Sequence, residues 1–118
     1  MIHETSYRRR FLVPDKEGMI IVPVDSIRFI TSEAGLSRIF TSEKRVYTLG
    51  RSLEEMGRGL DPERFMRVTH HHIVNVDAIE RLTNWFNRKT KVQVADWPDA
   101  EIYVIKERLP ELRRWLDR

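Results

Sequence analysis

The stretch FMRVTHHHIVNVDAI, residues 65–79, decides the fold of this chain. Met66 and Val68 alternate with polar residues at strand spacing, so their side chains point to one face of a sheet. The same alternation, continued through the three histidines, would place Ile73 on the opposite, solvent-facing side. Because an apolar residue of this size belongs in the core, the stretch predicts two strands separated by a change of phase.

The change of phase must fall between Thr69 and His72. A bulge or a short loop there shifts the alternation by one residue and returns Ile73 to the core. We expect this bend to leave at least His70 and His71 exposed.

Short strands are predicted on both sides of this stretch. Apolar residues recur at strand spacing, and the connections are too brief for crossover helices, so we expect antiparallel pairing. The segments are RRFLVPD, GMIIVPV, IRFITSE, SRIFTSE and RVYTLG before it, and KVQVAD and EIYVI after a hairpin tip at NRKT.

Two segments have helical spacing instead. Ser52 followed by Glu55 forms the sequence signature of a capping box and predicts a short central helix. The segment LPELRRWLDR predicts a C-terminal helix with Pro110 in its first turn, because deeper in the helix it would cost about 3 kcal/mol. The residues that we expect to face inward from this helix are Leu109, Leu112 and Leu116.

The chain of 118 residues contains no interior segment of linker composition, so one domain is expected. Residues 1–10, which end in three arginines, are interpreted as an N-terminal leader or linker stub, and residues 11–118 as the domain. No run reaches the ~18 apolar residues of a membrane helix, and no secretion signal begins the chain. We therefore expect a cytoplasmic location and no membrane partner.

Composition narrows the chemistry. The formal net charge of +3 is compatible with nucleic-acid binding but common among ordinary domains. Zero cysteines exclude disulfides, thiolate metal sites and a cysteine nucleophile. There is no serine elbow, no phosphate-binding glycine loop and no obvious carboxylate pair, so we expect no enzyme and no cofactor.

The three adjacent histidines allow several interpretations. Adjacent strand residues point to opposite faces, so they supply at most two ligands to one metal, and no carboxylate cluster completes a shell. A metal site is therefore not expected. They could be partly exposed polar side chains without a function, or part of a surface that contacts a ligand.

The stretch FMRVTHHHIVNVDAI also resembles the signature of the LytTR DNA-binding domain, F-x-R-x-H-R-S-x-x-V-N-x-x-x-I. Further segments, IIVPVDSIRFITSE, TLGRSLEEMGRGL and EIYVIKERLPELRRWL, resemble the family's opening strands, its helix and its C-terminal region. The resemblance covers nearly the whole chain from Phe11. The signature positions that match in register are Phe65, Arg67, Val74, Asn75 and Ile79.

The resemblance implies a mainly β fold: an elongated stack of short antiparallel sheets with one short central helix and a C-terminal helix. It implies sequence-specific binding of double-stranded DNA through loops, in a bacterial transcription regulator. Many members are response regulators of two-component systems. An upstream receiver or sensor domain and a dimer on DNA are the further partners that it suggests.

The resemblance also places DNA-facing residues in three segments of the chain. Two of these segments depart from the family's residues. Thr69, His70 and His71 stand where the family has His-Arg-Ser, and Ile105-Lys106-Glu107 stand where it has Ser-Arg-Arg. The implied DNA-binding residues are Arg67, Thr69, His70, His71, Ser37, Arg38, Lys106 and Arg108.

These departures keep an alternative function open. Loss of a serine cap and gain of Glu107 at a phosphate-facing turn disfavour DNA binding there. The alternative is a LytTR-like fold with impaired DNA binding that serves as a protein-interaction or sensing module. A histidine-based metal-binding domain is the third hypothesis. A steep fall of affinity with salt would favour DNA over a protein partner.

Overall fold

The computed structural model describes residues 6–118, so half of the predicted leader, residues 1–5, lies outside the described residues. Within the described part, the backbone N–H of Arg8 donates to the carbonyl oxygen of Gly59 at 2.7 Å. The first strand begins at Arg10. The described end of the predicted leader is thus hydrogen-bonded to the domain, and its last residue, Arg10, belongs to the first strand.

Over the described range the chain is mainly strand, with two α-helices and several single 3-10 turns. The helices are α1, Leu53–Gly57, and α2, Leu109–Leu116. The strands are β1 Arg10–Asp15, β2 Gly18–Pro23, β3 Ile27–Glu33, β4 Leu36–Thr41, β5 Val46–Leu49, β6 Phe65–Thr69, β7 His72–Asn75, β8 Ile79–Asn84, β9 Thr90–Val94 and β10 Tyr103–Val104.

The strands described form three antiparallel sheets, which confirms the predicted fold class. A β1-β2 hairpin makes the first sheet. The largest has the order β5-β4-β3-β7-β6, and the third has the order β10-β9-β8. Neighbouring strands run in opposite directions throughout, as the brief connections predicted.

The five-stranded sheet lies between two hydrophobic cores. Ile30 and Phe29 are neighbours on β3 and therefore point to opposite faces of this sheet. Ile30 packs in a core that includes Phe11 from β1 and Met56 from α1. Phe29 packs in a second core with residues of the third sheet and with Leu112 from α2. The sheets are thus stacked in layers around these two cores.

The histidine stretch folds as two strands with a bend between them. The register of β6 against β7 shifts between Arg67 and Thr69, and residues 70–71 form the connecting turn. The predicted exposed bend is confirmed, although the bulge begins slightly earlier than expected. Val68 and Ile73 are both buried, but on opposite faces of the sheet: Val68 packs in the second core and Ile73 in the first. The expectation that Ile73 would face solvent without a change of phase was therefore wrong, because both faces of this sheet are covered.

The helices follow their predicted caps. Ser52 and Glu55 form the reciprocal capping box at the start of α1. Pro110 lies in the first turn of α2. Leu109, Leu112 and Leu116 all pack against the second core, as predicted, although only Leu112 is fully buried; Trp115 is also buried there and was not expected. No helix within residues 6–118 is long and apolar enough to cross a membrane.

Candidate nucleic-acid interface

The turn at residues 70–71 is joined to the end of β3. The backbone N–H of Ser32 donates to the carbonyl oxygen of His71 at 3.0 Å. The Ser32 hydroxyl also lies 2.9 Å from Nδ1 of His71. Because β3 turns into β4 at residues 34–35, these bonds bring the β3–β4 turn and the β6–β7 turn to the same end of the sheet.

A 3-10 turn at Lys106–Arg108 reaches the same end. Nη2 of Arg108 donates to the carbonyl oxygen of Arg67 at 2.6 Å and lies 3.4 Å from Oε1 of Glu111. We call the combined turns at residues 34–35, at residues 70–71 and at Lys106–Arg108 the loop surface. Three segments far apart in sequence therefore form one surface.

Two side chains of β6 fix the shape of the β6–β7 turn. Nη2 of Arg67 donates to the carbonyl oxygen of His70 at 2.8 Å. The hydroxyl of Thr69 accepts the backbone N–H of His71 at 3.0 Å and lies 2.7 Å from Nδ1 of His72. The turn is thus held from within, while the His70 ring is exposed.

His72 differs from the two histidines before it. Burial, with a smaller contribution from the nearby His71, lowers the pKa of His72 from 6.5 to about 4. His72 is therefore neutral near pH 7, and its Nδ1 can accept a hydrogen bond from the Thr69 hydroxyl. We conclude that His72 supports the turn and adds no positive charge to the loop surface.

The arrangement does not gather metal ligands. Among residues 6–118 no group of three His, Cys, Asp or Glu side chains could hold a metal ion. Nδ1 of His71 faces Ser32, and Nδ1 of His72 faces Thr69. The described residues thus provide no set of ligands for the hypothesis of a histidine-based metal-binding domain.

Arg67, Lys106 and Arg38 are exposed cations at or near the loop surface, and of these Arg67 is engaged by its bond to the His70 carbonyl. Arg38 lies on β4, just beyond the β3–β4 turn, with Nη1 at 3.1 Å from Oε2 of Glu33. Both partners are largely exposed, so this ion pair stabilises the fold by only about 0–1 kcal/mol. Arg38 can therefore exchange Glu33 for a phosphate at little cost. Glu107 is the opposing charge beside Lys106.

Ser37, one of the residues implied by the resemblance, does not lie on this surface. Its side chain is fully buried, and its hydroxyl donates to the carbonyl oxygen of Arg51 at 2.7 Å. It shares a face of β4 with the buried Ile39, because strand residues two apart point the same way. Ser37 is thus a structural residue, and the alternation around Ile39 was the signal that placed it inward.

The other residues implied by the resemblance lie on or beside the loop surface, but some of their side chains are already held by hydrogen bonds within the protein. The side chains of Arg67, Thr69 and Arg108 are engaged in hydrogen bonds that hold the turns together. Ser32, which binds the β6–β7 turn, was not found from the sequence. Its bond with His71 joins residues 39 apart, and no local pattern indicates such a pairing.

Comparison with known proteins gives a consistent result. The family model for the LytTr DNA-binding domain matches residues 17–117. The transcriptional regulatory protein YpdB of Escherichia coli K12 is 25% identical over 103 residues, which are 87% of this chain and 41% of that protein. The YpdB protein of Shigella flexneri matches to the same extent. The chain therefore spans less than half the length of these curated relatives.

A solved structure has the same fold. It is a LytTr DNA-binding domain from Bacillus cereus, with a TM-score of 0.80, and the match covers 94% of this chain and 99% of that one. At 18% identity this likeness concerns the fold alone.

Proposed function

The chain belongs to the LytTr DNA-binding domain family, and on that premise we propose that it binds double-stranded DNA sequence-specifically through the loop surface. The observation that carries this proposal is the convergence of three loops at one end of the molecule. The hydrogen bond from Arg108 to the carbonyl oxygen of Arg67 joins the Lys106–Arg108 turn to β6, and the bond from the Ser32 N–H to the carbonyl oxygen of His71 joins β3 to the β6–β7 turn. A surface made of turns can follow a groove without a recognition helix.

The exposed side chains divide into two roles in this proposal. Lys106 and Arg38 neutralise phosphates, which supplies affinity that does not depend on sequence. His70 and His71 stand at the tip of the bend, where a side chain can reach the edge of a base. Sequence preference would therefore come from the β6–β7 turn.

Three further residues act as positioning residues. Arg67 donates to the His70 carbonyl oxygen, and the Thr69 hydroxyl accepts the backbone N–H of His71. Arg108 holds the Lys106–Arg108 turn against β6. Each of them fixes a turn before DNA arrives. Loops that are already ordered lose less conformational entropy on binding than mobile ones.

We extend the proposal to transcription regulation in the cytoplasm, because the curated relatives are named transcriptional regulatory proteins. Those relatives are more than twice as long as the matched segment. Two partners besides DNA therefore belong to the proposal: an upstream receiver or sensor domain, and a second copy of the chain on the same duplex. Sedimentation of the bound complex would give the number of copies per duplex.

Selection of bound sequences from a random duplex pool tests the proposal, followed by fluorescence anisotropy on the enriched duplex. His70→Ala and Lys106→Gln should each weaken binding. Lys44→Gln is the matched control, because Lys44 lies in the β4–β5 turn at the far end of β4 from the loop surface. Failure to enrich any sequence would reject sequence specificity, and equal affinities for all variants would reject the loop surface.

One feature favours the alternative of a protein-interaction or sensing module. Ile105 precedes the last 3-10 turn without a side-chain hydrogen bond to it, and Glu107 is exposed within that turn. A protein partner would bind with a weaker dependence on salt than DNA does. The same anisotropy titration, repeated at several salt concentrations, separates the two functions.

A further inference from the structure

The connection between β8 and β9 presents aromatic side chains to solvent. We call residues 85–89 the hairpin tip. Phe86 is 77% exposed and Trp85 is 42% exposed, and their ring centroids lie 5.7 Å apart in an edge-to-face arrangement. Trp85 also packs against Tyr103 on β10, at 5.6 Å between centroids. Trp85 is thus anchored to the third sheet, whereas Phe86 has no such support.

The hairpin tip is also strongly basic. Arg88, Lys89 and Lys91 follow the aromatic pair, with no acidic residue among positions 85–91. None of the three forms an ion pair within residues 6–118. Nζ of Lys91 lies over the Trp85 ring at 5.1 Å from its centroid. An exposed ring among unpaired cations fits a polyanion that also offers flat apolar surfaces.

The backbone of the tip is held in an uncommon conformation. Asn87 and Arg88 have φ values of 57° and 60°, in the left-handed backbone region that residues other than glycine adopt infrequently. The backbone N–H of Trp85 donates to the carbonyl oxygen of Lys89 at 2.9 Å and closes the turn. The turn therefore keeps Phe86 exposed in a defined position, although such a conformation is disfavoured by of order 1 kcal/mol per residue.

Strand directions place the tip at the same end of the molecule as the loop surface. β10 leads directly into Lys106–Arg108, so it runs toward that surface. β8 and β10 are both antiparallel to β9, which lies between them. β8 therefore runs in the direction of β10 and delivers the hairpin tip to the end that carries Lys106.

The tip is also close to Lys106. Val104 is paired with Thr90, so their Cα atoms are about 5 Å apart. Lys106 is two residues beyond Val104, and Lys89 is one residue before Thr90, at no more than ~3.8 Å per residue. The Cα atoms of Lys89 and Lys106 are therefore within about 17 Å. Half a turn of duplex spans a similar distance, since one turn is about 34 Å long.

From this placement we propose that the hairpin tip is a second DNA-contacting element, beside the loop surface. Arg88 and Lys89 bind phosphates of the duplex that the loops hold, and Phe86 packs its ring against sugars or a base step in the adjoining groove. Apolar side chains are used in this way by proteins that bind the minor groove. The inference rests on the proposed function and predicts a longer footprint of the protein on the duplex.

The test compares the protein with Arg88→Gln/Lys89→Gln, with Phe86→Ala, and with the control Lys44→Gln/Arg45→Gln. The control removes the same charge from exposed residues of the β4–β5 turn, at the opposite end of the five-stranded sheet. Affinity for the enriched duplex is measured by anisotropy between about 0.05 and 0.2 M salt, the range over which phosphate contacts are felt. Hydroxyl-radical footprinting maps the protected sugars, and circular dichroism melting checks each fold.

We expect the tip double variant to bind on the order of tenfold more weakly at 0.1 M salt, with a log–log salt slope shallower by about 2. Its footprint should lose protection on one flank. Phe86→Ala should weaken binding without changing the salt slope, because it removes no charge. A tip double variant that matches its control in affinity, slope and footprint would overturn the proposal for the tip and leave that for the loops intact. Absence of binding by the parent protein would overturn both.

Discussion

Arg108 donates an Nη2–H bond to the carbonyl oxygen of Arg67, 2.6 Å away, and so joins the Lys106–Arg108 turn to β6. The two residues are 41 positions apart. Arg108 is half-buried, and its Nε has no hydrogen-bond partner within the described residues. The bond fixes Lys106 relative to the β6–β7 turn, so it holds two of the three turns of the loop surface in a fixed relative position.

Arg108→Met keeps much of the side-chain volume but removes every donor. We expect the free energy of unfolding to fall by about 1–3 kcal/mol, because a charged donor is lost and the Arg67 carbonyl loses a partner. DNA affinity should fall further than this loss of stability explains. Urea unfolding and anisotropy measure the two effects. Arg113→Met, on the exposed side of α2, is the control, and equal behaviour of the two variants would show that the bond contributes nothing.

Arg67→Ala removes the donor that holds the carbonyl oxygen of His70 at 2.8 Å. DNA binding should weaken by about 1–3 kcal/mol while the fold survives, and His70→Ala should have an effect of similar size. A double variant should lose less than the sum of the two, because both changes act on one turn. Strict additivity in anisotropy titrations would show that Arg67 does not act through His70.

Phe65→Ala removes a ring that is only 6% exposed in the first core. The free energy of unfolding should fall by about 3–5 kcal/mol, or the domain should fail to fold. Phe86→Ala is the matched control, because that ring is exposed and its loss should change stability by no more than about 0.5 kcal/mol. Similar urea midpoints for the two variants would contradict the assigned positions of the rings.

The pKa of His72, lowered from 6.5 to about 4, predicts a loss of stability in acid. The folded state favours the neutral ring, so this stability is present above pH 6.5 and is lost as pH falls from 6.5 toward 4. With a discount for partial exposure to solvent, the loss should be about 1–2 kcal/mol. His72→Gln should show a smaller decrease in melting temperature between pH 7 and pH 4.5. An identical decrease in both proteins would exclude His72 as its source.

Much of the fold follows from local patterns in the sequence. The bend at His70 and His71 was predicted correctly, but the reason from phase was wrong, because Val68 and Ile73 lie on opposite faces of a sheet that is covered on both sides. The pair of Ser52 and Glu55 predicts the start of α1, because the two residues satisfy each other's backbone donors. Such signals lie within a few residues of the feature that they predict.

The contacts that assemble the loop surface do not have such signals. The bonds from Ser32 to His71 and from Arg108 to Arg67 depend on how the sheets stack, which no short pattern encodes. Trp115 is a different case. It lies three residues after Leu112, at helical spacing, so its burial in α2 could have been predicted.

The central claim, that the loop surface binds duplex DNA, is tested most directly by the affinity for an enriched duplex as a function of salt. With ~4 phosphates neutralised, log affinity should fall against log salt with a slope near −3 to −4. Lys106→Gln should make the slope shallower by about 1, because one phosphate contact is lost. Failure to retard any duplex at low salt, or an affinity that does not change with salt, would contradict the claim.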